Sequence, residues 1–220
     1  MVLIFAGATV YWVSWGHVEK LPEDPKTMET QEQEKLQGEL APLEKTGIID
    51  ERLYQAQTNL GNHYWYYKRF QNGETQFKNR IDTASTLYGE ASPQAYQCTF
   101  DLAGLYRDWV KFKECEQLYK RLLAIDQNRE APTSNKITRD INNLAVLYCL
   151  WGQSLTNISK RMQKFKQAES LYTQCLSRLK DDQSNQLYKI ILRNRAVTLK
   201  EMGRVTEAES DEHRAENASK

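Results

Sequence analysis

The chain has 220 residues, 40% of them apolar, with 30 Lys and Arg against 29 Asp and Glu and a formal net charge of +1 at pH 7. That length and apolar content support a buried core, in one domain or one short repeat array, and exclude a disordered chain. The balanced charge supplies no long-range field, so no nucleic-acid partner is expected. Acidic residues prevail over residues 19–51, and KRMQKFK at 160–166 is basic; both read as solvated surface.

Residues 2–15 (VLIFAGATVYWVSW) carry no charge and end in the aromatic group Tyr11, Trp12 and Trp15. As a helix this run spans roughly 21 Å, short of a hydrocarbon core of about 30 Å unless the next residues and local thinning contribute. Three readings compete: an uncleaved membrane anchor, a signal-peptide core, and an apolar helix packed on the rest. No Lys or Arg precedes Lys20 and Ala6-Gly7-Ala8 lies early, against a cleaved leader. The aromatic cluster matches an interfacial belt. Residues 1–18 are therefore expected to form an apolar N-terminal helix that anchors the chain to a membrane, on a side that the sparse basic flanks do not decide. Residues 19–48, with Pro22, Pro25 and Pro42 around TMETQEQEKLQGELA, read as a polar spacer.

Residues 49–216 contain a repeat. TNLGNHY (58–64), FDLAGLY (100–106) and NNLAVLY (142–148) follow at intervals of 42 residues. With Gly61, Ala103, Ala145 and Ala196 as origins, Leu60, Leu102 and Leu144 stand one residue before, and Arg195 takes that place in the fourth unit. Tyr64, Tyr106, Tyr148 and Leu199 stand three after; Phe70, Phe112 and Val205 nine after; Gly73, Cys115 and Ala208 twelve after. The third unit joins at Phe165 and Ala168 once eleven residues, about 152–162 (GQSLTNISKRM), are set aside as an insertion in the turn between its helices. A small residue flanked by large apolar ones at helical spacing forms one stripe on which a second, antiparallel helix approaches closely. Each such hairpin has too little core to stand alone, and stacking buries the remaining stripe.

The columns Leu144, Ala145, Tyr148, Phe165, Ala168 and Tyr172, with NNLAVLY and FKQAESLYTQCL, resemble the tetratricopeptide repeat, in the 42-residue variant of kinesin light chain. The resemblance covers about residues 52–215. It implies an all-α fold, a right-handed α-solenoid of antiparallel helix pairs, here with three full repeats and a partial fourth, a polar terminal cap in AESDEHRAENASK, and a tail at 217–220. It also implies that the first helix of each pair lines a concave groove that holds a peptide or a helix of a partner.

Two residues before the origins stand Asn59, Asp101, Asn143 and Asn194, with Gln55, Asn62, Gln97, Arg139, Asn142 and Arg193 at neighbouring positions. Amides carry both a donor and an acceptor and suit a peptide backbone; the competing role is to satisfy the adjacent repeat. The carboxylate clamp of some relatives is disfavoured, because Asp101 repels a carboxylate and the first repeat offers Gln55 and Thr58 instead of lysine. Two glycosylation triplets, at Asn157 and Asn217, are near chance in number and decide nothing.

No phosphate-binding loop, GxSxG or HExxH occurs, and His17, His63 and His213 lie far apart; His63 falls in a packing or groove position. The carboxylates read as scattered helix-surface charges. Cys98, Cys115, Cys149 and Cys175 show no CxxC and read as small buried thiols, with a disulfide in an oxidising compartment as the alternative. The expectation is a non-catalytic, membrane-tethered adaptor or assembly scaffold for a protein partner, without metal, cofactor or small-molecule substrate. The alternative is a permanent subunit of a larger membrane complex with no reversible peptide ligand.

Overall fold

The structure is a computed structural model that describes residues 2–6, 9–14, 17–20, 25–129, 135–179 and 186–218. It divides into two compact units, residues 1–87 and 88–220.

The first unit begins with three antiparallel strands, β1 (Val2–Ala6), β2 (Thr9–Ser14) and β3 (His17–Lys20), in the order β1-β2-β3. Val2 is in register with Val13 across the first pair, and Val13 with Val18 across the second. This corrects the expected N-terminal helix. Valine, isoleucine, threonine and aromatics favour extended backbone. Among the described residues no helix is long and apolar enough to cross a membrane, so the single helical anchor is not supported.

The stretch read as a polar spacer forms α1 (Pro25–Thr46), with proline in its first turn. Gly47, at φ +66, ends it. Asp50 then caps α2 (Glu51–Tyr66) by accepting from the Leu53 N–H at 3.0 Å. Leu36, Leu40 and Leu43 form a stripe that packs on Leu53, Ala56, Leu60 and Tyr64 of α2. Gln37 donates to the Tyr64 hydroxyl at 2.9 Å, and Arg69 pairs with Glu29 at 3.0 Å. One face of this otherwise polar helix is therefore core. In α3 (Phe70–Tyr88) Phe77 is fully buried, edge-on to Trp65, and a Cβ built on Gly61 would lie 2.8 Å from its ring. Glycine at that origin is a close-approach position.

The second unit holds three helix pairs: α4 (Pro93–Asp108) with α5 (Phe112–Arg129), α6 (Asn135–Ser154) with α7 (Ile158–Arg178), and α8 (Gln186–Glu201) with α9 (Val205–Asn217). Ser92 caps α4 through the Ala95 N–H. The predicted columns are buried at Leu102, Ala103, Tyr106, Phe112 and Cys115, at Leu144, Ala145, Tyr148, Phe165 and Ala168, and at Ala196, Leu199 and Ala208. Val205 departs from its column and is exposed. The segment read as a terminal cap forms α9, so the fourth repeat has both helices.

The turns repeat as closely as the helices. Lys68, Val110 and Gly203, each seven residues after an origin, have φ of 58°, 65° and 77°. The following N–H bonds back to a carbonyl five residues earlier, Arg69 to Tyr64, Lys111 to Tyr106 and Arg204 to Leu199. This six-to-one bond with a left-handed residue is the Schellman ending. The third repeat omits it, since Gly152, at the same column, is helical. The eleven extra residues do not lengthen the turn as expected. They prolong α6 by four residues and start α7 seven residues earlier, leaving residues 155–157 as a connection of three, the length found in the other pairs. A helical extension satisfies its own backbone hydrogen bonds, which a long loop does not.

Candidate functional site

In the second unit, α4, the end of α5 and the start of α6 enclose a cavity of about 560 Å³. Gln97, Arg139 and Asn143, three of the residues singled out in sequence, line it together with Tyr96, Phe100, Asp126, Arg129, Lys136 and Asp140. Their meeting follows from the repeat. Positions 97 and 139 lie 42 residues apart and hold corresponding places on α4 and α6.

Other predicted residues are placed elsewhere. Asn142 is buried and accepts from the Asn194 amide at 3.2 Å, joining the first helices of the last two repeats. Gln97 donates to Asp101 at 2.7 Å within α4. Arg193 is exposed on α8. Asn59 and Asn62 are exposed on α2 in the first unit, where Gln55 donates to Asn59 at 3.0 Å.

Two of the lining residues are buried carboxyls outside the repeat columns. Asp140 is 4% exposed and Asp126 5%. The Tyr96 hydroxyl donates to Asp140 Oδ1 at 2.5 Å, whereas Oδ2, also buried, has no hydrogen-bond partner. Burial raises the Asp140 carboxyl to about 6; the Tyr96 bond opposes this and the Asp126 charge adds to it. The signal was present: Asp140 lies three residues after Ile137 and four before Leu144, in phase with the buried stripe. Asp126 lies four after buried Leu122. A carboxylate in phase with a core stripe is not a surface charge.

The sign of the pH effect follows. Between pH 4 and 6 folded Asp140 holds a proton that the unfolded chain has lost, so its contribution is full below about 4 and is lost as pH rises through 6. Between pH 4.5 and 7.5 this amounts to about 2 kcal/mol. Asp140→Asn is expected to remove that slope in urea unfolding while retaining the Tyr96 bond; an unchanged slope would refute the assignment.

The other candidates are structural. All four cysteines are free and buried, and burial raises the thiols of Cys115 and Cys175 to about 12, far from reactive. His63 is buried against Tyr67, with Nδ1 3.4 Å from Glu32 of α1. No group of three metal-ligating side chains occurs among the described residues.

No family model matches the chain, and no curated protein matches it. Solved structures do. A putative kinesin light chain with nearly identical TPR-like repeats from Podosopora anserina is 14% identical, with 88% of each chain covered and a TM-score of 0.68. A variant of that same protein is 14% identical, covering 88% of this chain and 87% of that one, with a TM-score of 0.69. BtubC (BKLC) from P. vanneervenii is 18% identical over 86% of this chain and 73% of its own, with a TM-score of 0.63. The chain has the tetratricopeptide-like repeat fold.

Proposed function

We propose that the protein is a non-catalytic interaction module that holds an extended segment or a helix of a protein partner against the first helices of its second and third repeats. One observation carries this reading: Gln97, Arg139 and Asn143, expected from the repeat columns to face a partner, line one cavity with the aromatic rings of Tyr96 and Phe100. Its volume lies in the range of ligand sites, and aromatic and arginine side chains are the residue types enriched at interface anchors. Amides and guanidinium supply donors and acceptors for a backbone, and the rings supply apolar contact. Asn142 and Asn194, which bond each other, are not part of the binding set.

Peptide display against the full-length chain tests the reading. The expected result is enrichment of a defined motif that binds the native chain, and loss of about tenfold or more in affinity in Gln97→Ala/Asn143→Ala at unchanged stability. Peptides that bind the double variant equally well, or no enrichment, would overturn it.

A further inference from the structure

A second groove lies on the other helices of the repeats. It runs between α5 and α7 over α6, has a volume of about 520 Å³, and shares no lining residue with the cavity described above. Its floor is apolar: Leu144 and Tyr148 of α6 meet the half-buried Leu171 of α7 there. Its walls are cationic and polar, with Lys120 on one side and Gln163, Lys166, Gln167 and Ser170 on the other. The acid beside it is already answered, since Glu116 accepts from the Tyr148 hydroxyl at 2.7 Å and from Lys120 at 2.5 Å. Lys164 adds a further charge, its ammonium 4.7 Å from the centre of the Tyr148 ring. Lys166 is exposed and makes no ion pair among the described residues. The charge is one-sided over a long stretch: residues 141–168 contain no Asp or Glu and four Lys or Arg.

We propose that this groove holds an acidic amphipathic helix of a protein partner, whose leucine-sized side chains enter the floor and whose carboxylates meet Lys120, Lys164 and Lys166. This goes beyond the reading above, since it uses the second helices of the repeats and none of the residues assigned to the first. Charge complementarity selects the sign: an ammonium with no carboxylate of its own gains most from an acid that the ligand brings. The shape selects a helix. A channel between two helices over an apolar floor is filled by the ridge of a third, in the way that an amphipathic helix lays its apolar face into a groove. Gln163 and Gln167, one turn apart on α7, offer amide donors to carboxylates along the flank of that helix. An anionic membrane matches the charge but not the recessed floor, which a flat surface leaves unfilled.

The test uses the full-length chain and three dye-labelled peptides of about sixteen residues, roughly four turns of helix. The first carries leucine on one helical face and glutamate on the others; the second replaces leucine by serine, and the third replaces glutamate by lysine. Binding is followed by fluorescence anisotropy. The first peptide is expected to bind about tenfold or more tightly than either of the others. Lys166→Glu/Gln163→Glu, at two exposed positions, is expected to lower its affinity by about tenfold or more at unchanged circular dichroism, and Gln97→Ala/Asn143→Ala to leave it unchanged. Equal binding of the three peptides, or no binding of the first at millimolar concentration, overturns the proposal without any variant having to fold. An affinity that survives the charge reversal also overturns it; where it falls instead in Gln97→Ala/Asn143→Ala, the peptide lies in the other cavity and the interaction module stands. Flotation with phosphatidylserine vesicles is run beside these measurements. A chain that binds the vesicles through Lys166 and Gln163, and none of the peptides, overturns the proposal in favour of a lipid surface.

Discussion

Asp211→Ala is expected to destabilise the last repeat by about 3–5 kcal/mol, read by denaturant unfolding with circular dichroism. In the fourth unit the leucine column holds Arg195, a conflict with the repeat as read in sequence. The structure resolves it on the opposite helix. Arg195 forms a two-pronged pair with Asp211 of α9, at 2.6 and 2.7 Å, and Asp211 is 2% exposed. Arg214 adds a contact to the same carboxylate at 3.3 Å and donates to the Tyr188 hydroxyl at 2.6 Å. Removing the carboxylate strands a half-buried guanidinium. Replacing both partners by apolar residues, Arg195→Leu/Asp211→Leu, is expected to recover most of the loss, because that change removes the desolvation penalty and restores the column of the other repeats. A single variant costing under about 1 kcal/mol, or a double variant no better than the single, would show that the pair is not the tie between α8 and α9.

The second large effect is expected at Phe165, where alanine costs about 3–5 kcal/mol. Its ring is fully buried and lies against Gly152, whose added Cβ would sit 2.6 Å from the ring edge. Gly152→Ala alone costs about 1–3 kcal/mol through overpacking. The double variant is the decisive measurement. With the ring gone the new methyl enters the vacated space, so the summed single losses exceed the double loss by more than about 0.5 kcal/mol. Additive losses would mean that α6 and α7 do not approach through this contact.

Much of the architecture was legible because helical packing imposes a short-range spacing on residue size. Leu102, Ala103, Tyr106, Phe112 and Cys115 are buried where the columns placed them. A small residue at the origin is required by the approach of the second helix, and Gly61 under Phe77 shows that requirement at its tightest. The leucines of α1 were harder to read, because three positions at helical spacing in a highly charged stretch count for little until a partner face is known. The N-terminal segment misled for a related reason. An uncharged run of aromatic and β-branched residues satisfies either a helix or strands, and length alone does not choose between them.

The cavity divides in the same way. Gln97, Arg139 and Asn143 were singled out because their positions recur from repeat to repeat, but a recurring position does not fix its surroundings: Asn194, in the column of Asn143, bonds Asn142. Asp126 and Asp140 do not repeat, and their burial depends on where the end of one helix meets the start of the next. Sequence by itself determined the helix pairs, their period and the buried columns, since these depend on contacts between near neighbours in the chain. Only the tertiary structure decided that Gly152 is helical whereas Gly203 turns, that Arg195 answers Asp211, and that one carboxylate oxygen lies buried without a donor. The physical reason is that each of these outcomes is set by a side chain or helix brought close from elsewhere in the chain.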